Sequence, residues 1–476
     1  MKQFLMAALL VVVAVSGCID NSDDPDTPGG TESTTQMVAV APDQTIFEGT
    51  ILNDHALGAT GHVGHTLPEL HEGSEGLSLL SMTTMSDGIV GYGSAFAEVD
   101  VVGDLALVSS IFGSRGVTIL NVSDPSNMVT LSHIYNMDDN WDARFSLDGL
   151  YLFLGCQGSG AFDCTTISVN GEEELINGGL VCASIATCPG GIAVFDIGDP
   201  TNPSFVSYLE MGFTHNVFTF MVDDKHYVMN EGGTIGEFDP ATREFEVISN
   251  AIDASRHDIA AQVHPITGQT LLYTGNGGGM VIWDVSNPFE PALIGAIESG
   301  GDVPPMWHEQ TPMPCLLDGR HITIGAGESG SGVPDHIAVV DTTDPTTPIY
   351  LGKWVLPDAA SITAQQNYRF SLHNIDGNCQ GQVAIGHYHA GVWVFDVSTE
   401  ERQAAPVTLG YYQPHERVVE PSYSPVMTAP IGAVITLDTP NVWAAMWSDD
   451  GETLFIPDMT TGLYALAPTW DYEPIS

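Results

Sequence analysis

Basic residues are scarce in this chain. Lys and Arg together number 11 among 476 residues, against 60 Asp and Glu, and the formal net charge is −49. So few cations cannot neutralise a run of phosphates, which excludes a nucleic-acid partner. The uncompensated acids repel one another and are relieved by screening, so the composition suits a salty exterior. Helical periodicity is nearly absent too, which excludes a helical class and leaves short alternating runs typical of strands. Long apolar runs are missing: the longest, close to Met1, is about a dozen residues, short of the roughly 20 that a spanning helix needs. No C-x-x-C pair occurs, which excludes a zinc ribbon or a thioredoxin-like site. No G-x-S-x-G elbow, Walker loop or H-E-x-x-H is present either. Gly325-Ala326-Gly327-Glu328-Ser329-Gly330 has dinucleotide-loop spacing, but Gly332-Val333-Pro334 follows where a helix would have to open.

What is present begins with Lys2, the short apolar run, and Val15-Ser16-Gly17-Cys18. This pattern is a signal peptide (residues 1–17) ending in a lipoprotein cleavage box. It predicts export, a lipid-modified Cys18 as mature N-terminus, and a membrane partner reached through that anchor. The predicted location is the outer face of a prokaryotic membrane, at the cell surface or in the periplasm. Residues 18–43 are rich in Asp, Thr, Ser, Gly and Pro and form an acidic linker that cannot bury a core. An N-terminal segment, residues 44–92, holds a weak strand pattern at 44–52 and a better one at 77–84. Between them, His62, His65 and His71 fall in a loop-like stretch and are treated as solvated. Exported chains keep disulfides. Cys156, Cys164, Cys182 and Cys188 cluster in one insertion, and Cys315 and Cys379 occupy matching places in neighbouring repeats, a candidate pair.

The organising feature is a repeat. Residues 279–291 read GMVIWDVSNPFEP, a hydrophobic strand ending in Asp and then a turn with two prolines. Related stretches are GVTILNVSDP (116–125), GIAVFDIGDPTNP (191–203) and IAVVDTTDPTTP (337–348), with weaker copies at 234–240, 391–398 and 462–468. Each copy is preceded by an opening strand and an alternating strand and is followed by a fourth. Four short strands at a spacing of roughly 45 residues predict an all-β, seven-bladed β-propeller. The blades open near Phe96, Asp142, His215, His257, His308, His373 and Trp443, and the propeller spans residues 93–470. Insertions interrupt it at 156–190 and 399–439. Little chain follows the last signature strand, so residues 77–84 are expected to supply its partner and close the ring. The signature Asp is assigned to the turn, bonding backbone amides, and carries no chemistry.

Chemistry concentrates at the blade openings. Thr214-His215-Asn216, Arg256-His257-Asp258, Trp307-His308-Glu309 and Leu372-His373-Asn374 put a histidine at one position in four consecutive blades. Opening strands line the central channel, so the four imidazoles aim at one axis. The next strand runs back to the same level and ends in Glu231, Asn276, Glu328, His387 and Asp458. Imidazoles flanked by carboxylates form a donor set for a transition metal. The candidate metal site is therefore His215, His257, His308 and His373 with Glu231, Glu328 and His387. His387 and His389 share one strand face unless a turn intervenes.

The signature strand with its Asp-Pro turn resembles the LVIVD-repeat β-propeller proteins of bacterial and archaeal cell surfaces. The openings F-T-H-N-V, S-R-H-D-I and M-W-H-E-Q and the stretch G-H-Y-H-A-G-V-W-V-F-D-V (386–397) carry the same resemblance, over residues 93–466. DARFSLDG at 142–149 and the His-Asn pairs are more distantly similar to the selenium-binding protein (methanethiol oxidase) family. That similarity implies a propeller with copper held by histidines, here His215, His257, His308 and His373. The combined expectation is an exported, lipid-anchored propeller holding copper, zinc or iron at its channel, acting by redox or Lewis-acid chemistry on a small sulfur compound. Its rival is a cell-surface binding or adhesion module without catalysis, contacting partners through the two insertions.

Overall fold

The computed structural model describes residues 74–85, 95–111, 116–136, 142–156, 166–169, 172–175, 190–252, 257–276, 278–328, 336–356, 371–388, 390–414, 426–428, 434–436, 441–459 and 461–470. The signal peptide, Cys18, the linker, residues 44–52 and His62, His65 and His71 lie outside them, as do Cys164, Cys182, Cys188 and His389. No helix among the described residues is long and apolar enough to cross a membrane.

The fold is a seven-bladed, almost purely β propeller. Blade 1 comprises Ala95–Val102, Leu105–Ile111, Val117–Asn121 and Val129–Asn136. Blade 2 comprises Ala143–Phe145, Tyr151–Cys156, Gly191–Asp196 and Ser204–Glu210. Blade 3 runs from Val217–Val222 to Glu244–Ser249 and blade 4 from Ile259–Val263 to Ala292–Ile297. Blade 5 runs from Glu309–Pro312 to Ile349–Val355 and blade 6 from Ile375–Gly377 to Val407–Tyr412. Blade 7 has Met446–Trp447, Leu454–Asp458 and Gly462–Pro468 from the C-terminal end, and its outermost strand is Leu77–Thr83. The closure foreseen from the sequence is thus present, with Leu77 opposite Pro468 and Thr83 opposite Leu463. First strands of successive blades touch all the way round, blade 7 against blade 1 included, and they enclose the channel.

The signature strand is apolar throughout because both of its faces are buried. In blade 4, Met280 and Ile282 pack with Met306, Ala338 and Val340 of blade 5. The intervening Val281 and Trp283 pack with Phe218, Phe220 and Met229 of blade 3. Side chains alternate across a strand, so one continuous apolar run serves two interfaces. The main buried clusters number seven among the described residues, one for each blade interface.

The signature Asp bonds the turn that follows it. Asp284 Oδ1 accepts from Ser286 N (2.9 Å), Asp196 from Gly198 N (2.9 Å) and Asp341 from Thr343 N (2.9 Å). The turn has a second role that the sequence did not disclose: it sits on the preceding blade. Ser132 Oγ of blade 1 donates to Pro200 O of blade 2 (2.7 Å), and Ser81 Oγ of the closing strand donates to Pro125 O of blade 1 (2.6 Å). In blade 4 the matching residue is Gly295, where a Cβ would lie 1.9 Å from Pro345 O.

Other features escaped the sequence reading. The insertion at 156–190 leaves blade 2 but extends blade 1: Thr166–Val169 pairs with Ile134–Asn136 and then with Glu172–Leu175. The outer edge of blade 1 offers unpaired backbone groups, and the hairpin covers them. Ser74–Glu75 likewise pairs with Tyr411–Tyr412 at the edge of blade 6. Within 399–439, residues Val407–Tyr412 are the fourth strand of blade 6 and Val426–Thr428 pairs with Val434–Thr436. A helix, Glu400–Ala404, replaces the usual second proline turn, with Thr399 capping it through Arg402 N (3.3 Å). Cys315 and Cys379 form a disulfide, Cα–Cα 5.0 Å, between the first hairpins of blades 5 and 6.

Candidate metal centre

Each of the four histidines stands one or two residues before its blade's first strand, at one end of the channel. The neighbouring rings are close: His215 and His257 have centroids 5.1 Å apart, His257 and His308 4.2 Å, His308 and His373 4.6 Å. All four side chains are buried.

Two carboxylates interleave with them. Asp258 lies between His257 Nδ1 (3.0 Å) and His308 Nδ1 (3.6 Å). Glu328, just past the second strand of blade 5, lies between His308 Nε2 (3.7 Å) and His373 Nε2 (3.8 Å). His308 therefore faces a carboxylate with each ring nitrogen. Among the described residues two groups can hold a metal: His257, Asp258 and His308, and His308, Glu328 and His373. Neither ring nitrogen of His373 has a hydrogen-bond partner among the described residues, although the side chain is 2% exposed.

Outer residues fix these groups. Tyr388 Oη donates to Glu328 Oε1 (2.7 Å), and its ring lies 5.4 Å from that of His373. Trp443 of blade 7 covers the other side of His373 at 3.9 Å. Asn216 Nδ2 donates to Asp258 Oδ1 and to His257 O (2.8 Å), tying blade 3 to blade 4. Such partners orient metal-binding groups and strengthen them as donors.

Burial sets the protonation states. It pushes His373 well below its ordinary value, and the neighbouring His308 adds to this. His215 is pushed down to about 3 by burial and by His257. Imidazoles that stay neutral keep a lone pair for a metal. Burial works against the Asp258 anion, but His308 and His257 outweigh it and hold the carboxyl below the usual carboxylate range.

The sequence-predicted residues divide. His257, His308, His373 and Glu328 come together, and His215 adjoins them without joining either group. Glu231 turns to the backbone instead: its oxygens accept from His215 N (2.9 Å) and Asn216 N (3.2 Å), and it anchors the histidine-bearing segment. His387 is fully buried, is pushed down to about 3 by burial, and belongs to neither group. The turn allowed for in the sequence does intervene: His387 N donates to Gly391 O (2.8 Å), and Tyr388 adopts φ 43°. That turn carries Tyr388 to Glu328. Asp258, Asn216 and Tyr388 were not among the predicted residues. A signal for the first two was available, because the position after each histidine is polar in all four blades: Asn216, Asp258, Glu309 and Asn374.

Further along the channel, acids stitch successive blades. Asp100 Oδ2 accepts from Phe145 N (2.7 Å), Asp142 Oδ2 from Val217 N (2.9 Å), Glu309 Oε2 from Ile375 N (2.7 Å) and Asp376 Oδ2 from Trp447 N (2.7 Å). Each satisfies a backbone N–H that faces the channel from the next blade's first strand. Arg144 balances part of this charge, at 3.4 Å from Glu98 and 3.2 Å from Asp142. Burial raises the acids, Asp142 to about 6 and Asp376 to about 7.

A family model described as the LVIVD repeat matches residues 271–298, the second to fourth strands of blade 4. No curated protein matches the chain. The chain thus carries an LVIVD repeat within a seven-bladed propeller.

Proposed function

We propose that this protein is an exported metalloprotein whose propeller holds a transition-metal ion among His308, His373 and Glu328, with His257 and Asp258 beside them. One observation carries the reading: His308 Nε2 and His373 Nε2 both face the Glu328 carboxylate, at 3.7 and 3.8 Å, in a buried site where neither ring nitrogen of His373 has a hydrogen-bond partner among the described residues. Burying two imidazoles beside a carboxylate is costly, and a cation held by all three groups offsets that cost. Imidazole with carboxylate suits copper, zinc or iron, and the group contains no thiolate to favour softer ions. When bound, the ion would polarise a small substrate or exchange an electron with it, and the sulfur compound suggested by the distant family similarity is the substrate class we assign. Around it, Tyr388 fixes the Glu328 carboxylate while Trp443 shields His373. The chain's own path to the membrane is the lipid on Cys18, supported by the apolar run and the Val15-Ser16-Gly17-Cys18 box.

Elemental analysis of the purified full chain, beside His308→Ala and His373→Ala, tests the centre. Near-stoichiometric metal that is lost in both variants, with unfolding still cooperative, supports it. A wild type that neither retains nor takes up copper, zinc or iron overturns it and favours an adhesive role. Radiolabelled fatty acid should label the wild type and leave Cys18→Ser unlabelled.

A further inference from the structure

Beyond the histidines the channel holds a cavity of about 260 Å³. Its polar wall is made by Glu98, Arg144, Glu309, Asn374 and Asp376. Hydrogen-bond acceptors dominate it. The guanidinium of Arg144 is engaged by Glu98 and Asp142. Glu309 and Asp376 are left with neutral donors: Thr311 Oγ1 (2.9 Å) and Ile375 N for the first, Trp447 N for the second.

Asn374 supplies an independent sign of a missing partner. It is 5% exposed, and its Nδ2 donates to Glu98 Oε2 (2.6 Å) across the channel. Asn374 lines the same cavity, and its Oδ1 has no hydrogen-bond partner among the described residues. A buried amide oxygen left unpaired is costly, and the group that satisfies it must be a donor.

The chemistry of that donor is constrained from two sides. A bare metal ion needs ligand atoms converging on one point, and both metal-competent groups among the described residues belong to the histidine centre. The cavity is also lined by the apolar Phe218, Ile259 and Met446. A carbon body carrying several N–H donors fits such a mixed lining. A second cavity of about 250 Å³ shares Asp376 and Met446 with the first and reaches the exposed Asp449 and Asp450. It offers entry from the end away from the histidines, lined with charge that attracts cations.

We infer that this channel chamber is a binding site for a small organic ammonium ion, its N–H donors on Glu309, Asp376 and Asn374 Oδ1 and its carbon body against Phe218, Ile259 and Met446. The site stands whether or not the histidines hold metal.

The test is calorimetric titration of the metal-stripped full chain with primary ammonium ions from methylammonium to benzylammonium, beside the alcohols of the same shape. At least one ammonium ion should bind at one per chain while its alcohol does not. Asp376→Asn keeps an oxygen for Trp447 N and so preserves the blade contact; it should weaken binding at least tenfold. Asn374→Leu should weaken it as well, with unfolding still cooperative. The inference is overturned if no member of the series binds, if the alcohols bind equally, or if Asp376→Asn binds as tightly as the wild type.

Discussion

Replacing Tyr388 by Phe tests how the candidate centre is built. The hydroxyl donates to Glu328 Oε1 at 2.7 Å, with Tyr388 fully buried and Glu328 4% exposed. Phe keeps the ring, and with it the contacts to His373 (5.4 Å) and Trp443 (5.7 Å). The loss is therefore confined to one hydrogen bond on a buried carboxylate. A bond of that type contributes about 1.5–3 kcal/mol, so the metal-free variant should lose about 2 kcal/mol in urea unfolding. A partner that orients a metal-binding group is worth roughly 10–100-fold in affinity, readable by competition with a chromophoric chelator. Glu328→Leu completes the cycle: the two residues should be coupled by about 1.5–3 kcal/mol in stability, because removing either ends the same bond. A Tyr388→Phe chain that loses less than about 0.5 kcal/mol, the size of an unremarkable substitution, and keeps its metal affinity would refute the place assigned to Glu328 in the centre.

Other predictions concern the frame around the site. Gly295→Ala places a Cβ 1.9 Å from Pro345 O and should cost about 1–3 kcal/mol by forcing blades 4 and 5 apart, measured by chemical denaturation. The Cys315–Cys379 bridge closes 64 residues; a Cys315→Ser, Cys379→Ser chain should lose about 2–4 kcal/mol, and reduction of the wild type should reproduce the loss. His321 Nε2 donates to Gln262 Oε1 (2.8 Å), and its ring lies 4.6 Å from that of His264. Burial, helped by His264, pushes His321 down to about 4. Because the folded value lies below the unfolded one, the unfolded chain takes up the proton first. The contribution of His321 is present above about pH 6.5 and is lost as pH falls towards about 4, about 3 kcal/mol at most. His321→Gln should flatten the stability curve in that window; an unchanged slope would contradict the assignment.

The propeller was legible in the sequence because its units are local. A strand apolar on both faces, an Asp that bonds its own turn, and a period of about 45 residues are each visible without a partner. Even the closing strand at Leu77–Thr83 followed from counting, since the last blade ran out of chain. The alignment of His215, His257, His308 and His373 was legible for the same reason, as a repeat copies position along with residue type. The sequence could not say which neighbours each side chain would choose. Glu231 and Glu328 end equivalent strands, yet Glu231 caps the amides of its own blade while Glu328 turns to His308 and His373. His387 and Tyr388 are adjacent, but the turn at φ 43° sends the tyrosine, not the histidine, to the centre. The hairpin that leaves blade 2 to extend blade 1, and the proline turns that rest on the preceding blade, are likewise contacts between distant segments. By itself, then, the sequence determined the repeating unit, the number of blades and the column of histidines, all of which depend on residues within one blade's length of one another. Only the tertiary structure decided which carboxylates face those histidines and which hold the frame, because that depends on the angle at which each blade meets the next.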